Sequence, residues 1–447
     1  MVVRLQNNSE NLPMISGNKA AYCVIGAGPC GLTAAKNLLQ RNIPFDCLER
    51  EQDLGGNWNC DNSSSSVFQS THLISSKKLT EFIDFPMPSD YPEYPDNHQV
   101  LAYFRRYAEN FGLEDRIQFN SSVDRIERNG GHWEVTVSGE SQPRKYAGVV
   151  IANGHHWDPS YPEISGEFNG REIHSKEYKA PDFLTGKRVL VVGAGNSGCD
   201  IAVEAARHAQ VTFHSLRRGY HFLPKFLFGK PIDRCGERLH RWHLPLWMRR
   251  WIASLSLRIA MGNPHCYGLP SPDHRLFETH PIINSQLPYC LGHGLIRSKP
   301  DVKSLAGDRV QFIDDSEEKI DIIIYATGYK LSFPFIDNEY LNLRDGCPDL
   351  YLNVFHPHLD NLFFIGLIQP NGGIWGLADY QSQLVANFIS AMQSDPQKVE
   401  WLRQAKLGQS PKINGGIRYV ESPRHRIEVE YFDYRKILQK KIHQIGM

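Results

Sequence analysis

The stretch "VLVVGAGNSGCDIA", Val189 to Ala202, is an apolar strand, a glycine turn and the opening of a helix, and "YCVIGAGPCGLTAA", Tyr22 to Ala35, has the same form. Both place G-x-G-x-x-G between strand and helix. The first glycine permits a tight turn, the second lets backbone approach a pyrophosphate, and the third lets helix and strand pack closely. The helix N-terminus then presents unpaired N–H groups to the phosphates. Two such units predict an α/β fold with two dinucleotide-binding, Rossmann-like domains in one chain.

The sequence after each loop differs. In the first, Gly26, Gly28, Pro29, Cys30 and Gly31 are followed by the strand stretch "FDCLER", with Glu49 at its end beside Arg50, 23 residues past Gly26. A carboxylate there can accept both ribose hydroxyls. In the second, Gly193, Gly195, Asn196, Ser197 and Gly198 are followed by a strand ending "HSLRR", with no acid at the matching place. Asn196 and Ser197 offer extra donors to phosphate. Arg217 and Arg218, 24 and 25 residues past Gly193, suit a 2′-phosphate through charge-assisted hydrogen bonds, or else form a solvated basic turn. The first loop is therefore read as an FAD site and the second as an NADPH site, held together so that one coenzyme can reduce the other. "LGGNW" adds Gly56 and Trp58 as a second backbone approach to the first cofactor, or a turn anchored by a buried Trp.

Composition narrows the field. The 447 residues, 41% hydrophobic and 22% charged, suffice for two or three cores. Lys plus Arg equals Asp plus Glu at 49 each, so no net field favours nucleic acid or an anionic membrane. The opening "MVVRLQNNSENLPMISGN" has no signal-peptide core, and no later run nears the roughly 20 apolar residues of a bilayer span, which reads as cytoplasmic. Nine cysteines without C-x-x-C or metal-clip spacing count against a dithiol reductase. The "HPH" at 356–358 lacks neighbouring ligands, and no metal is expected.

Strand patterning assigns residues 1–165 and 320–447 to the FAD-binding domain and 166–319 to an inserted NADPH-binding domain, with a helical or irregular insertion at about 224–300. Within it, "HRWHLPLWMRRWIASLSLRIAMG" (240–262) reads as a helix packing its apolar side on the NADPH domain in preference to an amphipathic lid or a helix resting on a membrane.

Between the loops, "FNGREIHSKEY", Phe168 to Tyr178, is F-x-G-x-x-x-H-x-x-x-Y. On its own it also fits a packed linker with a hydrogen-bonded histidine. Together with "GGNW", "DFPMPSDYP" (84–92), "NGHHWDPSYP" (153–162), "RRG" (217–219) and "YATGY" (325–329), it makes the chain resemble the N- and S-oxygenating flavin-containing monooxygenases. The resemblance implies that NADPH reduces FAD, that oxygen adds at flavin C4a, and that one oxygen atom of the hydroperoxide passes to an amine nitrogen or a sulfide sulfur. It also implies that Thr327 and Gly328 of "YATGY" belong to the cofactor-binding set, and that His174 sits near the domain junction with a role more structural than acid–base. Tyr178 stands where the pattern of Baeyer-Villiger relatives ends in Trp, which favours nitrogen or sulfur over a ketone. "NLFFIGLIQPNGGIWGLAD" resembles the segment that returns to the flavin, with Trp375 either lining the site or in the core.

One departure bears on catalysis. The family commonly places an Asn near the peroxide, three residues before the Lys of a stretch resembling "SSK"; here a gap-free count gives Ile74 and a slip of one gives Ser75. Neither is an amide. His72, Ser75 and Ser76 are the candidate substitute donors. An uncoupled NADPH oxidase releasing hydrogen peroxide, and Baeyer-Villiger oxygenation of a ketone, stand as alternatives. The expected partners are molecular oxygen and a small amine or sulfide, with a homodimer left open.

Overall fold

The computed structural model describes residues 21–446, so the opening stretch read above for a leader, and the start of the first domain, lie outside the described residues. The chain begins with strands β1 (Tyr22–Ile25), β2 (Phe45–Leu48), β3 (Ile117–Gln118) and β4 (Gly148–Ile151), with helix α1 (Pro29–Gln40) between the first two and α2 (Asn97–Asn110) before the third. A second set follows: β5 (Arg171–His174), β6 (Arg188–Val192), α3 (Asn196–His208), β7 (Val211–Ser215), α4 (Ile232–Arg241), α5 (Leu246–Met261), β8 (Ile296–Lys299) and β9 (Ile322–Tyr325). The chain then returns through β10 (Leu362–Phe364), α6 (Trp375–Ser394) and α7 (Tyr431–Gly446).

These strands form two five-stranded parallel sheets, ordered β10-β4-β1-β2-β3 and β5-β9-β6-β7-β8. Alternate residues leave opposite faces of a strand, so an all-apolar strand implies cover on both. From β1, Tyr22 and Val24 enter a core built with α1, α2, α6 and α7, while Cys23 and Ile25 enter another with Trp133, Val135 and Tyr146. The latter come from a three-stranded antiparallel meander at 123–146. The second unit repeats this plan. Val189 and Val191 of β6 pack with α3, while Leu190 and Val192 pack with Val310 and Phe312 of an antiparallel meander.

Two boundaries differ from the sequence reading. The strand β9 hydrogen-bonds to β5 and β6, so the chain leaves the second sheet only after Tyr325, not at 319/320. Its "DIIIYA" is as apolar as a strand of either sheet, and pairing alone decides which one it joins. The passages between units, Asp158–Pro159 and Tyr329–Lys330, run antiparallel as a short ribbon. Likewise Ile296–Lys299 falls inside the region read as irregular, yet it is the edge strand β8. At this edge "IRSK" has one buried residue, Ile296, while Arg297 and Lys299 lie over the Phe213 ring, so there is no apolar run.

The insertion contains α4 and α5. The expectation that α5 turns its apolar side to the NADPH domain is only half correct. Ala253 and Leu257 pack inward on Leu223, Leu276 and Ile283. Trp247, Trp251, Leu255 and Ile259, each four residues apart, are 45–68% exposed. The helix is apolar on two faces, and a single hydrophobic stripe was too simple a reading. Among the described residues no helix is long and apolar enough to cross a membrane.

Candidate dinucleotide sites

The two glycine loops are near copies in space. Gly26 has φ +102°, and a Cβ on it would lie 2.8 Å from the Ala152 carbonyl oxygen, while one on Gly31 would lie 1.7 Å from the Gly26 carbonyl oxygen. In the second loop Gly193 has φ +111°, with the Ala326 carbonyl oxygen 2.5 Å from the added Cβ, and Gly198 would place one 2.0 Å from the Gly193 carbonyl oxygen. Each strand thus turns at a positive φ that L side chains rarely adopt, and its helix starts against the turn. The first loop has a second glycine segment against it: a Cβ on Gly56 would lie 3.0 Å from Gly28 Cα. Two stretches of bare backbone therefore meet at the N-terminus of α1, where Pro29 occupies the first turn. This open cradle fits a pyrophosphate.

Glu49 is buried at the end of β2 and accepts N–H bonds from Ala27 (2.6 Å) and Glu51 (3.0 Å), one on each carboxylate oxygen. Burial raises its pKa, against the lowering effect of those two bonds. Each oxygen retains a lone pair, so the group is oriented and able to accept ribose hydroxyls. Cys30 lies against Gly366, and burial pushes its thiol up to about 12, so it is neutral packing. Trp58 packs edge-on against Trp375, centroids 5.7 Å apart. Trp375 is fully buried among Phe82, Tyr103 and Phe104 and belongs to the core.

The second site differs in what closes it. The Asn196 side chain, expected to donate to phosphate, instead donates to the Pro281 carbonyl (3.1 Å) and accepts from Ile283 N–H (2.7 Å), tying α3 to the insertion. Ser197 is exposed at the same helix N-terminus. The two arginines are not equivalent. Arg217 is exposed, whereas Arg218 forms a bidentate pair with Asp273. Thr327 donates to the Ser160 carbonyl, and Ser160 N–H donates to the Gly328 carbonyl, so this pair braces the inter-unit ribbon.

The fingerprint segment is scaffold. A Cβ on Gly170 would lie 2.5 Å from the Asp321 carbonyl oxygen. His174 is buried with its ring against Tyr161 and Tyr329, its pKa lowered by burial, and its Nδ1 accepts Lys176 N–H. Tyr178 is buried edge-on to Phe68 and donates to Glu204 (2.6 Å). These contacts pack the segment against Tyr161, Tyr329 and Phe68.

The residues weighed for oxygen handling scatter. His72 is exposed, with Nδ1 on the Ser70 carbonyl. Ile74 packs into the apolar cluster of Leu223, Leu276 and Ile283, all from the second unit. Ser75 and Ser76 are buried, and Ser76 N–H donates to Asp233 of α4 (2.6 Å).

Sequence reasoning missed the docking of the insertion onto the first unit. Glu430, fully buried, lies 2.7 Å from His240 of α4, and Glu428, also buried, lies 3.1 Å from His280. His240, Glu430 and Asp433 have the spacing of a metal site, and the Arg249 guanidinium sits against the His240 ring. His356 of the "HPH" accepts the N–H groups of His358 and Leu359 and staples a loop. No sequence signal marks these pairs, because the partners are 148 or more residues apart.

A family model described as flavin-binding monooxygenase-like matches residues 19–445. Flavin-containing monooxygenase 5 of Rattus norvegicus is 34% identical over 448 residues, covering 93% of this chain and 81% of the relative. Dimethylaniline monooxygenase [N-oxide-forming] 2 of Pan troglodytes is 33% identical over 444 residues, 92% of this chain and 80% of that protein. Among solved structures, OTEMO in complex with FAD and NADP superposes with TM-score 0.69 at 17% identity, covering 96% of this chain and 98% of that one.

Proposed function

The chain belongs to the flavin-binding monooxygenase-like family, whose members are NADPH-dependent FAD enzymes, and from that premise we propose which residues serve each coenzyme and what is oxidised. The FAD pyrophosphate lies over Gly28 and Gly56 at the N-terminus of α1, and Glu49 accepts its ribose hydroxyls. The NADPH pyrophosphate lies at the N-terminus of α3 beside Ser197, and Arg217 holds the 2′-phosphate. Bound flavin supplies acceptance of hydride from NADPH and reduction of molecular oxygen. The protein's share is to fix the two rings, exclude water and admit a substrate. His174 and Tyr178 hold the edge of the second sheet against the first unit. The observation that carries this reading is the pair of matched loops with a buried acid beyond one and arginines beyond the other.

The substrate is a small, largely apolar amine or sulfide. A cavity of about 370 Å³ beneath α5, lined by Phe222, Leu257, Met261 and Leu276 with His221, Ser254, Arg258 and Asn263 at polar points, has room for such a molecule, and all of its lining comes from the second unit and its insertion. The name of the dimethylaniline relative supports an amine. The test is stoichiometric: NADPH consumed, hydrogen peroxide released and oxygenated product formed, with a tertiary aromatic amine or a dialkyl sulfide. Coupled turnover gives product in place of peroxide. A second reading, an uncoupled oxidase, is favoured by Ile74, whose apolar side chain offers no donor; peroxide then equals NADPH whatever is added.

The cytoplasm is the proposed location and a homodimer the proposed assembly. The exposed stripe of α5 supports peripheral contact with an apolar surface as the second reading. Co-sedimentation with vesicles, beside the solution mass without them, separates the two.

A further inference from the structure

The turn after β7 carries "RRG", and the glycine has a tertiary reason. A Cβ on Gly219 would lie 1.9 Å from the Ser271 carbonyl oxygen, because the insertion segment at 271–273 crosses it and pairs at Gly219–Pro272. That crossing delivers Asp273 to Arg218. Arg218 Nε lies 3.0 and 3.2 Å from the two carboxylate oxygens and Nη2 lies 2.8 Å from one of them. Asp273 is held from the other side by His274 Nδ1 at 2.8 Å, and His274 Nε2 lies 3.1 Å from Thr279 Oγ1. The carboxylate is therefore fixed. Arg217, one residue away, has no side-chain hydrogen bond or ion pair among the described residues.

We propose that Asp273 is a specificity-determining residue that restrains the preference for NADPH over NADH, by engaging Arg218 in a fork-to-fork pair and leaving Arg217 as the free guanidinium for the 2′-phosphate. The physical argument is charge counting at short range. Two free arginines would offer two bidentate partners to a dianionic phosphate. With one of them neutralised by a carboxylate, the three side chains present the phosphate with a single net positive charge in place of two. NADH has no 2′-phosphate and is indifferent to this balance. The inference rests on the assignment of Arg217 and Arg218 to the NADPH site.

The test measures KM for NADPH and for NADH in Asp273→Asn, which keeps shape and one acceptor, and in Asp273→Glu, which keeps the charge. Visible flavin absorbance serves as the check on folding. Asp273→Asn is expected to lower KM for NADPH about fivefold, leave KM for NADH unchanged and steepen the salt dependence of NADPH binding; Asp273→Glu is expected to keep the wild-type ratio. Adding Arg218→Ala to Asp273→Asn should abolish the gain. An unchanged or raised KM for NADPH in Asp273→Asn, with flavin retained, overturns the proposal and makes Asp273 a scaffold for Arg218. If Arg217→Ala and Arg218→Ala each leave NADPH binding intact, the NADPH-site assignment itself fails, and this proposal with it.

Discussion

The two nucleotide units share a plan and differ in closure. The first closes on itself: Glu49 is buried, takes N–H bonds from its own glycine loop and the residue two beyond it, and a second glycine segment lies against that loop. The second is closed by the insertion, through Asn196 with Pro281 and Ile283 and through Arg218 with Asp273. A cofactor that stays bound through turnover suits a self-contained, rigid site. A coenzyme that must enter and leave suits a site whose walls come from a separate segment.

Breaking each unit at its tightest glycine should give the largest effect and separate their roles. In Gly31→Val the new Cβ would overlap the Gly26 carbonyl oxygen and in Gly198→Val the Gly193 carbonyl oxygen. The first should purify colourless. The second should purify yellow, with NADPH-driven bleaching slowed about a hundredfold or more, since backbone displacement of the order of 1 Å misplaces the coenzyme. Anaerobic absorbance distinguishes them, and loss of flavin from both would erase the contrast between the units.

A smaller effect is expected at Glu49→Gln. One of the two carboxylate oxygens would become an NH₂ group facing a backbone N–H, an unmet pair costing about 1–3 kcal/mol. FAD should then dissociate about ten- to a hundredfold more readily, read by the fluorescence of released flavin.

Smaller again is Asp200→Asn on α3, one turn past the second loop. Burial raises the Asp200 carboxyl to about 6 from an ordinary 3.8, and Asn284 donates to it at 2.6 Å. A raised carboxylate pKa means that ionisation opposes folding. The penalty is absent below 3.8, grows from there toward 6 and is full above 6. The amide variant should therefore gain more stability at pH 8 than at pH 5, by about 1 kcal/mol, measured by thermal unfolding at both pH values.

Least is expected on the outer face of α5. Trp251→Ser removes a side chain that is 63% exposed and should change stability by no more than about 0.5 kcal/mol, with flavin content and NADPH oxidation unaltered. A larger loss in a thermal melt would show that the stripe is covered in solution.

Both glycine loops, Glu49 and the arginine pair were legible because each obeys a local rule: a positive φ, a close backbone approach, or a charge at a strand end. The strand β8 was not legible, since at a sheet edge only Ile296 of "IRSK" needs to be apolar. Ile74 was noticed as a missing amide, but that it joins a cluster supplied by the other unit could not be read locally. Asn196 was given a phosphate role from its place in the loop, while its amide donates to a backbone carbonyl 85 residues away.

By itself the amino-acid order determined that two matching glycine turns exist, because the turns depend on residues that lie within a few positions of each other and on steric rules intrinsic to glycine. Which side chains remain free to meet a ligand was decided only in three dimensions. Arg217 and Arg218 are chemically identical neighbours, and what separates them is a carboxylate brought from 55 residues away by the crossing at Gly219. Such pairings carry no periodicity and no spacing rule; they arise when packed segments meet.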